Sequence, residues 1–359
     1  HINEYNKKMS EIFIDKDTIK LLYNFVDIDI ATYFHSYHKT TYYFEGSDKV
    51  ESWFVCDDNN LWQRIYKDDP AEIIVSVLRY FNDIYKYADI IVKHKLKNLK
   101  ADDEAYKSYS NINKFIKEDI KKAGKILTYK GTMVILKTLY ANKQITDKLI
   151  SQTSNIKKFT FTNGYMDLTD MKFKQITRED YITTNTGYNY IENPTKIDFV
   201  MDVLNKMGSE SHVKYLLSIL SKCLMGQNTD RKFYIFTGSG ANGKSIITDD
   251  FINKAFGQYY KSIRAEYFTT SSKAGAATPE LADKEYCRIL IGSEPEASEA
   301  LQVSKIKKLT GLEQIQTRQL FKSEQEWVPQ FTPILLCNDI PDFSKIDKAI
   351  TQRIKIIPF

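Results

Sequence analysis

At 359 residues the chain exceeds the length over which one hydrophobic core keeps growing, so two or more domains are expected. With 42% hydrophobic and 27% charged residues it has the make-up of a globular protein, and no apolar run nears the roughly 20 residues that span a bilayer, which argues against a helical membrane protein. A formal charge of +5 permits a polyanionic partner without requiring one.

The sequence opens at His1 with no basic start and apolar stretch, so no signal peptide is expected and the chain reads as an excerpt of a longer protein. Cys56, Cys223, Cys287 and Cys337 are far apart and form no Cys-x-x-Cys pair, which argues against a zinc site or a disulfide framework and for a reducing compartment.

In chain order, residues 41–54 are rich in Tyr and Phe and predict short strands, with Trp53 and Trp62 flanking the turn signal Asp57-Asp58-Asn59-Asn60. Ile73, Val77, Leu78, Phe81 and Ile84 recur at helical spacing, and stretches 112–123 and 131–140 read alike, so the first half is mainly helical. Between Phe159 and Tyr190 short β-like pieces alternate with turns such as Asn163-Gly164. After Asn193-Pro194, residues 197–225 predict two helices broken near Gly208. From Arg231 onward apolar runs at Phe233 to Thr237, Arg288 to Gly292 and Pro333 to Cys337 alternate with helical stretches, the pattern of a parallel α/β sheet.

Directly after the first run, Gly238-Ser239-Gly240-Ala241-Asn242-Gly243-Lys244-Ser245 fits Gly-x-x-x-x-Gly-Lys-Ser/Thr and leads, from Ile246, into a helix-compatible stretch. Backbone N–H groups of a glycine-rich turn and a helix N-terminus meet phosphate charge, Lys244 reaches the outer phosphates, and Ser245 ligates Mg²⁺. The second run ends in Glu294, a carboxylate suited to orienting and deprotonating a water; a solvated acidic loop with Glu296 and Glu299 is the alternative. The third ends in Asn338, either an amide aimed at phosphate and water or a turn residue before Asp339-Ile340-Pro341. Arg353 is either an arginine finger for a neighbouring subunit or a surface residue at a helix end. Lys305, Lys307, Lys308, Arg318 and Lys322, interleaved with Phe321 and Trp327, suit single-stranded nucleic acid, although a solvated lysine face explains much of the pattern.

Taken together these residues resemble the superfamily 3 helicases, and among them the poxvirus-type primase–helicases shared by large DNA viruses, phages and plasmids. The likeness runs through Gly240 to Ser245, Ser293-Glu294-Pro295-Glu296, Ile306 to Gly311, Thr317 to Leu320, Pro329-Gln330-Phe331, Leu335 to Asn338, and Arg353-Ile354 with Ile357-Pro358-Phe359. Upstream, Phe161 to Leu168 looks like the family's Asn-Gly-x-x-Asp-Leu element.

The resemblance implies an AAA+ type α/β phosphate-loop ATPase at 196–359, a mainly helical helicase-associated domain with a β element at 51–195, and an unassigned segment at 1–50. It further implies ATP as substrate and Mg²⁺ as cofactor, with Lys244, Glu294, Asn338 and Arg353 as the catalytic set. Ser293 stands where many such ATPases carry an Asp, which leaves Ser245 and Glu294 to hold the metal. Lys307, Arg318 and Lys322 fall in the segment holding the family's DNA-contacting hairpin, with Lys322 at its tip. A homo-oligomeric, hexameric ring on single-stranded DNA, contacts with other replication proteins, no membrane and a host-cytoplasmic setting complete the expectation. The runner-up is an initiator or packaging module using ATP as an assembly switch; a small-molecule kinase is a third reading.

Overall fold

The computed structural model describes residues 27–46, 51–65, 71–123, 130–141, 156–239, 243–271, 278–281, 283–293, 295, 300–318 and 324–359. The chain divides into two compact units, one of residues 1–56 and 63–143, the other of 57–62 and 144–359. The second unit therefore begins some fifty residues before the 195/196 boundary expected from the sequence.

The first unit holds α1 (Asp27–His38), a three-stranded sheet of β1 (Tyr42–Gly46), β2 (Glu51–Cys56) and β3 (Trp62–Ile65, all but its first residue), then α2 (Ala71–Lys97), α3 (Glu104–Ala123) and α4 (Lys130–Tyr140). Its aromatic strand residues are consumed by packing: Phe44 lies 4.9 Å from Trp53 and Trp53 5.8 Å from Tyr140, ring centre to ring centre. Ala31, Phe34 and Leu136 close the interior between α1 and α4, and Ala88, Val92 and Ile116 are buried where α2 meets α3.

The second unit opens with the meander β4 (Lys158–Phe161), β5 (Gly164–Asp167) and β6 (Lys172–Lys174). Phe159 stacks at 4.8 Å on Tyr259, whose hydroxyl donates to the Thr184 carbonyl at 3.0 Å. The aromatic positions that make the meander β-forming are thus also what attaches it to the rest of the unit. Two helices follow, α5 (Ile197–Asn205) and α6 (Glu210–Cys223), broken at Gly208 as expected; the Ser209 hydroxyl caps α6 by accepting from the His212 N–H at 3.3 Å.

The centre is an all-parallel five-stranded sheet in the order β13 (Ile354–Pro358), β7 (Phe233–Thr237), β12 (Thr332–Cys337), β9 (Ile289–Ser293), β8 (Tyr260–Arg264). Alternation along the strands sends Phe233, Ile235, Leu290, Leu335 and Cys337 into a core with Phe268, Ile306 and Leu309. Tyr234, Phe236, Ile289, Ile291 and Ile334 point into the other, with Val213, Leu216 and Ile219 of α6. Burial on both faces is why these strands read as continuous apolar runs.

The α/β expectation holds, and the three apolar runs coincide with β7, β9 and β12. The edge strands β8 and β13 carry Lys261, Arg264 and Lys355 and were not read as strands. After the glycine-rich loop the chain forms a π-helical stretch, Ile246–Ile252, that passes into α7 (Asn253–Phe256). Further elements are α8 (Glu266–Thr269), α9 (Val303–Thr310), the antiparallel pair β10 (Ile315–Arg318) and β11 (Glu324–Trp327), and α10 (Lys348–Arg353).

Candidate functional site

Register fixes where the site lies. Thr237 pairs with Cys337 and with Pro358, and Leu336 pairs with Ser293, so β7, β12, β13 and β9 all finish along one edge. Open parallel sheets bind ligands outside the carboxyl ends of their strands. Here that edge gathers Gly238, Asn338 and the end of the strand preceding Glu294.

Lys244 is nearly buried, at 7% exposure, and its ammonium donates to the Gly238 carbonyl and, at 3.3 Å, to the Asn338 side-chain oxygen. The Thr237 hydroxyl donates to the Asn338 main-chain carbonyl at 2.9 Å, so the strand end that carries the amide is tied to the strand that carries the loop. Gly243 has φ +88°, in the left-handed region, where a Cβ would find Met207 at an ordinary contact distance of 3.5 Å; the backbone conformation is what favours glycine there. The helix begins at Lys244, and Ser245 and Ile246 are exposed at its first turn. This edge thus carries a cation, a hydroxyl, an amide and a helix N-terminus, the kinds of group that suit a polyanion. Gly240, Ala241, Asn242 and Glu294 lie outside the described residues; Ser239, at the loop's start, is exposed.

Arg353 stands elsewhere. Ile354 pairs with Phe233 at the start of β7, so Arg353 is at the amino edge, about a five-residue strand, or ~13 Å, from the loop of its own chain. Its Nη1 donates to the Ala349 carbonyl of its own helix at 2.9 Å, and its buried Nε has no hydrogen-bond partner among the described residues. Arg353, Arg231, Lys232 and Lys355 line a cleft of about 500 Å³ together with Asp230.

Of the three residues assigned to nucleic acid, Lys307 is engaged within the unit: its ammonium lies 2.5 Å from Asp347. That contact, with the Ile350 N–H next, holds the Asp347 carboxyl below its ordinary range. Arg318 ends β10 opposite Glu324, and its side chain and the whole of Lys322 lie outside the described residues. β10 and β11 pair antiparallel on either side of 319–323, which also lie outside the described residues.

The Asn-Gly-x-x-Asp-Leu element is internally satisfied. Asn163 exchanges hydrogen bonds with the Tyr190 main chain, donating at 3.1 Å and accepting at 2.8 Å, while Asp167 pairs with Lys174 at 2.7 Å. Its polar residues brace the meander. Sequence reading missed Lys232 beside Arg353 and Asp347 at the start of the same helix: an Asp three residues before Ile350 is a helix-cap signal, but nothing local links it to Lys307 forty residues earlier.

Residues 31–208 match the family described as D5 N terminal like. A helicase-named protein of Acanthamoeba polyphaga mimivirus is 36% identical over 204 residues, covering 55% of this chain and 21% of that protein. Primase D5 of Fowlpox virus is 27% identical over 216 residues, covering 56% and 27%. The chain resembles the viral primase–helicases. It spans about a fifth to a quarter of the length of these relatives. A solved C-terminal region of NrS-1 is similar at TM-score 0.36 and 18% identity over 45% of this chain and 38% of that one. The family match ends at 208, before the glycine-rich loop, so the loop's chemistry rests on its own residues. Among the described residues no helix is long and apolar enough to cross a membrane.

Proposed function

We propose that this chain contains the ATP-hydrolysing motor of a viral replicative primase–helicase, which moves along single-stranded DNA. One observation carries the reading: Lys244 is held between the Gly238 carbonyl and Asn338 at the carboxyl edge of a parallel sheet. That is where a phosphate loop must present its cation for a triphosphate to meet it.

In this reading residues 196–359 are the motor and 51–195 its helicase-associated domain. The loop from Gly238 to Ile246 cradles the phosphates through backbone N–H groups, and Lys244 exchanges its oxygen partners for phosphate oxygens. The exposed Ser245 hydroxyl, with Glu294, fits a hard cation that prefers oxygen ligands, and Mg²⁺ would neutralise phosphate charge there. Glu294 orients and deprotonates the attacking water; Asn338 holds that water against the phosphate by its amide.

Arg353 lies at the edge opposite its own loop, which supports a role on a neighbour's nucleotide, and a head-to-tail contact that closes makes a homo-oligomeric ring, by family resemblance a hexamer. Arg318 and Lys322, at the β10–β11 hairpin, are the residues proposed for the DNA strand. Cytoplasmic replication with other replication proteins fits the same reading.

The test is steady-state ATP hydrolysis with and without single-stranded DNA over a range of protein concentrations at fixed salt. Cooperative, DNA-stimulated turnover that disappears in Lys244→Ala is expected. Turnover indifferent to DNA and to concentration would replace the ring motor with a self-contained ATPase.

A further inference from the structure

We infer that Lys307, in a segment otherwise assigned to DNA contact, is a positioning residue that sets the helix presenting Arg353; the inference rests on the ATPase reading above. Three ties converge on α10. Lys307 Nζ lies 2.5 Å from Asp347 Oδ2. The other oxygen of the same carboxylate accepts the Ile350 N–H at 2.9 Å, so Asp347 is the N-cap of α10. At the far end Lys232 donates to the Gln352 carbonyl at 2.8 Å.

Six residues make too short a helix to hold itself, because nucleation is costly and few backbone bonds repay it. Its direction is therefore set by the buried Ile350 and by what grips its ends, and Arg353 is its last residue. Lys307 is itself well anchored, since its helix α9 buries Ile306 and Leu309 completely. Moreover α9 leads directly into the hairpin strands β10 and β11. A push on the hairpin is thereby transmitted through Lys307 and Asp347 to the residue that serves the neighbouring nucleotide.

Both partners are about one-third exposed, so the pair adds little to global stability. Its effect is on geometry, where a displacement of about 1 Å can cost ~10²-fold in rate. A lysine held this way is also poorly placed to neutralise a DNA phosphate.

The experiment uses the full-length protein and measures kcat, KM for ATP, and single-stranded DNA affinity across salt for Lys307→Ala, Asp347→Asn and the reversed pair Lys307→Asp with Asp347→Lys. Each single variant should lose roughly 10- to 100-fold in kcat, with KM, DNA affinity and salt slope unchanged and melting little altered. The reversed pair should regain most of kcat. Lys307→Ala should add nothing further in an Arg353→Ala background.

Mixing Lys307→Ala with Lys244→Ala subunits should restore hydrolysis, because the second supplies a well-placed Arg353 to the loop of the first. Unchanged kcat, no recovery on mixing, or a drop in DNA affinity with the salt slope reduced by about one would overturn the assignment and return Lys307 to DNA. Failure of the underlying reading is seen separately, as absent hydrolysis in the unmodified protein or full hydrolysis in Lys244→Ala.

Discussion

The Lys244 ammonium lies 3.3 Å from the Asn338 side-chain oxygen, joining the loop after one strand to the end of its neighbour in the parallel sheet. A cation and an amide already hydrogen-bonded to each other are preorganised, and in the proposed ATPase such donors would contribute most where charge develops. Asn338→Ala should lower kcat by about 10²- to 10³-fold while leaving nucleotide binding in place. Asn338→Asp should act differently, because a carboxylate against Lys244 competes with phosphate and raises KM for ATP. Equal loss of kcat in both variants with unchanged KM would mean that Asn338 acts through the fold rather than through Lys244.

Gly257 terminates α7 at φ +52°, and a Cβ there would meet the Thr186 carbonyl oxygen at 1.9 Å. The same junction carries the Tyr188 hydroxyl donating to Ala255 at 2.6 Å and the Gln258 N–H donating to Asn185 at 3.2 Å. Gly257→Ala combines a left-handed backbone with a main-chain clash and should cost at least about 1–3 kcal/mol. Urea denaturation reads this directly; a midpoint equal to the parent's would show that the junction opens freely.

The core gives a simpler expectation. Ile334 is completely buried in the middle of β12, against the side of the sheet covered by α6. Ile334→Ala should destabilise by about 2–5 kcal/mol through lost transfer energy and the cavity left behind. Loss below 1 kcal/mol in the same denaturation measurement would contradict the close packing described.

What the sequence disclosed tracks how local its causes are. β7, β9 and β12 are buried on both faces, so Phe233 to Phe236, Ile289 to Ile291 and Ile334 to Leu336 stand out as apolar runs without reference to anything distant. β8 and β13 sit at the sheet edges, where solvent admits Lys261, Arg264 and Lys355 and dilutes the signal. Gly243, Lys244 and Ser245 stood out because their motif is written in consecutive residues. The ion pair of Lys307 and Asp347 was not, because it depends on how α9 and α10 pack after the whole sheet has formed. The meander was seen as β-rich but set with the first half of the chain. Its attachment to the second runs through Phe159 on Tyr259 a hundred residues later.

Cys223 and Cys287 supply a dependence on alkaline pH. Both are buried, and removal from water pushes each thiol up to about 12. The folded state thus holds these protons more tightly than the unfolded chain, whose thiols ionise near 8.5. The sign follows: the contribution is complete below that value and declines as pH rises from there toward 12. The denaturation midpoint should fall between about pH 9 and 10.5, and part of that fall should vanish in Cys223→Ala relative to its own neutral-pH midpoint. Iodoacetamide at pH 8.5 should modify neither thiol until the protein unfolds. Native-state alkylation of either at the rate of a free thiol would refute both its burial and the pH argument built on it.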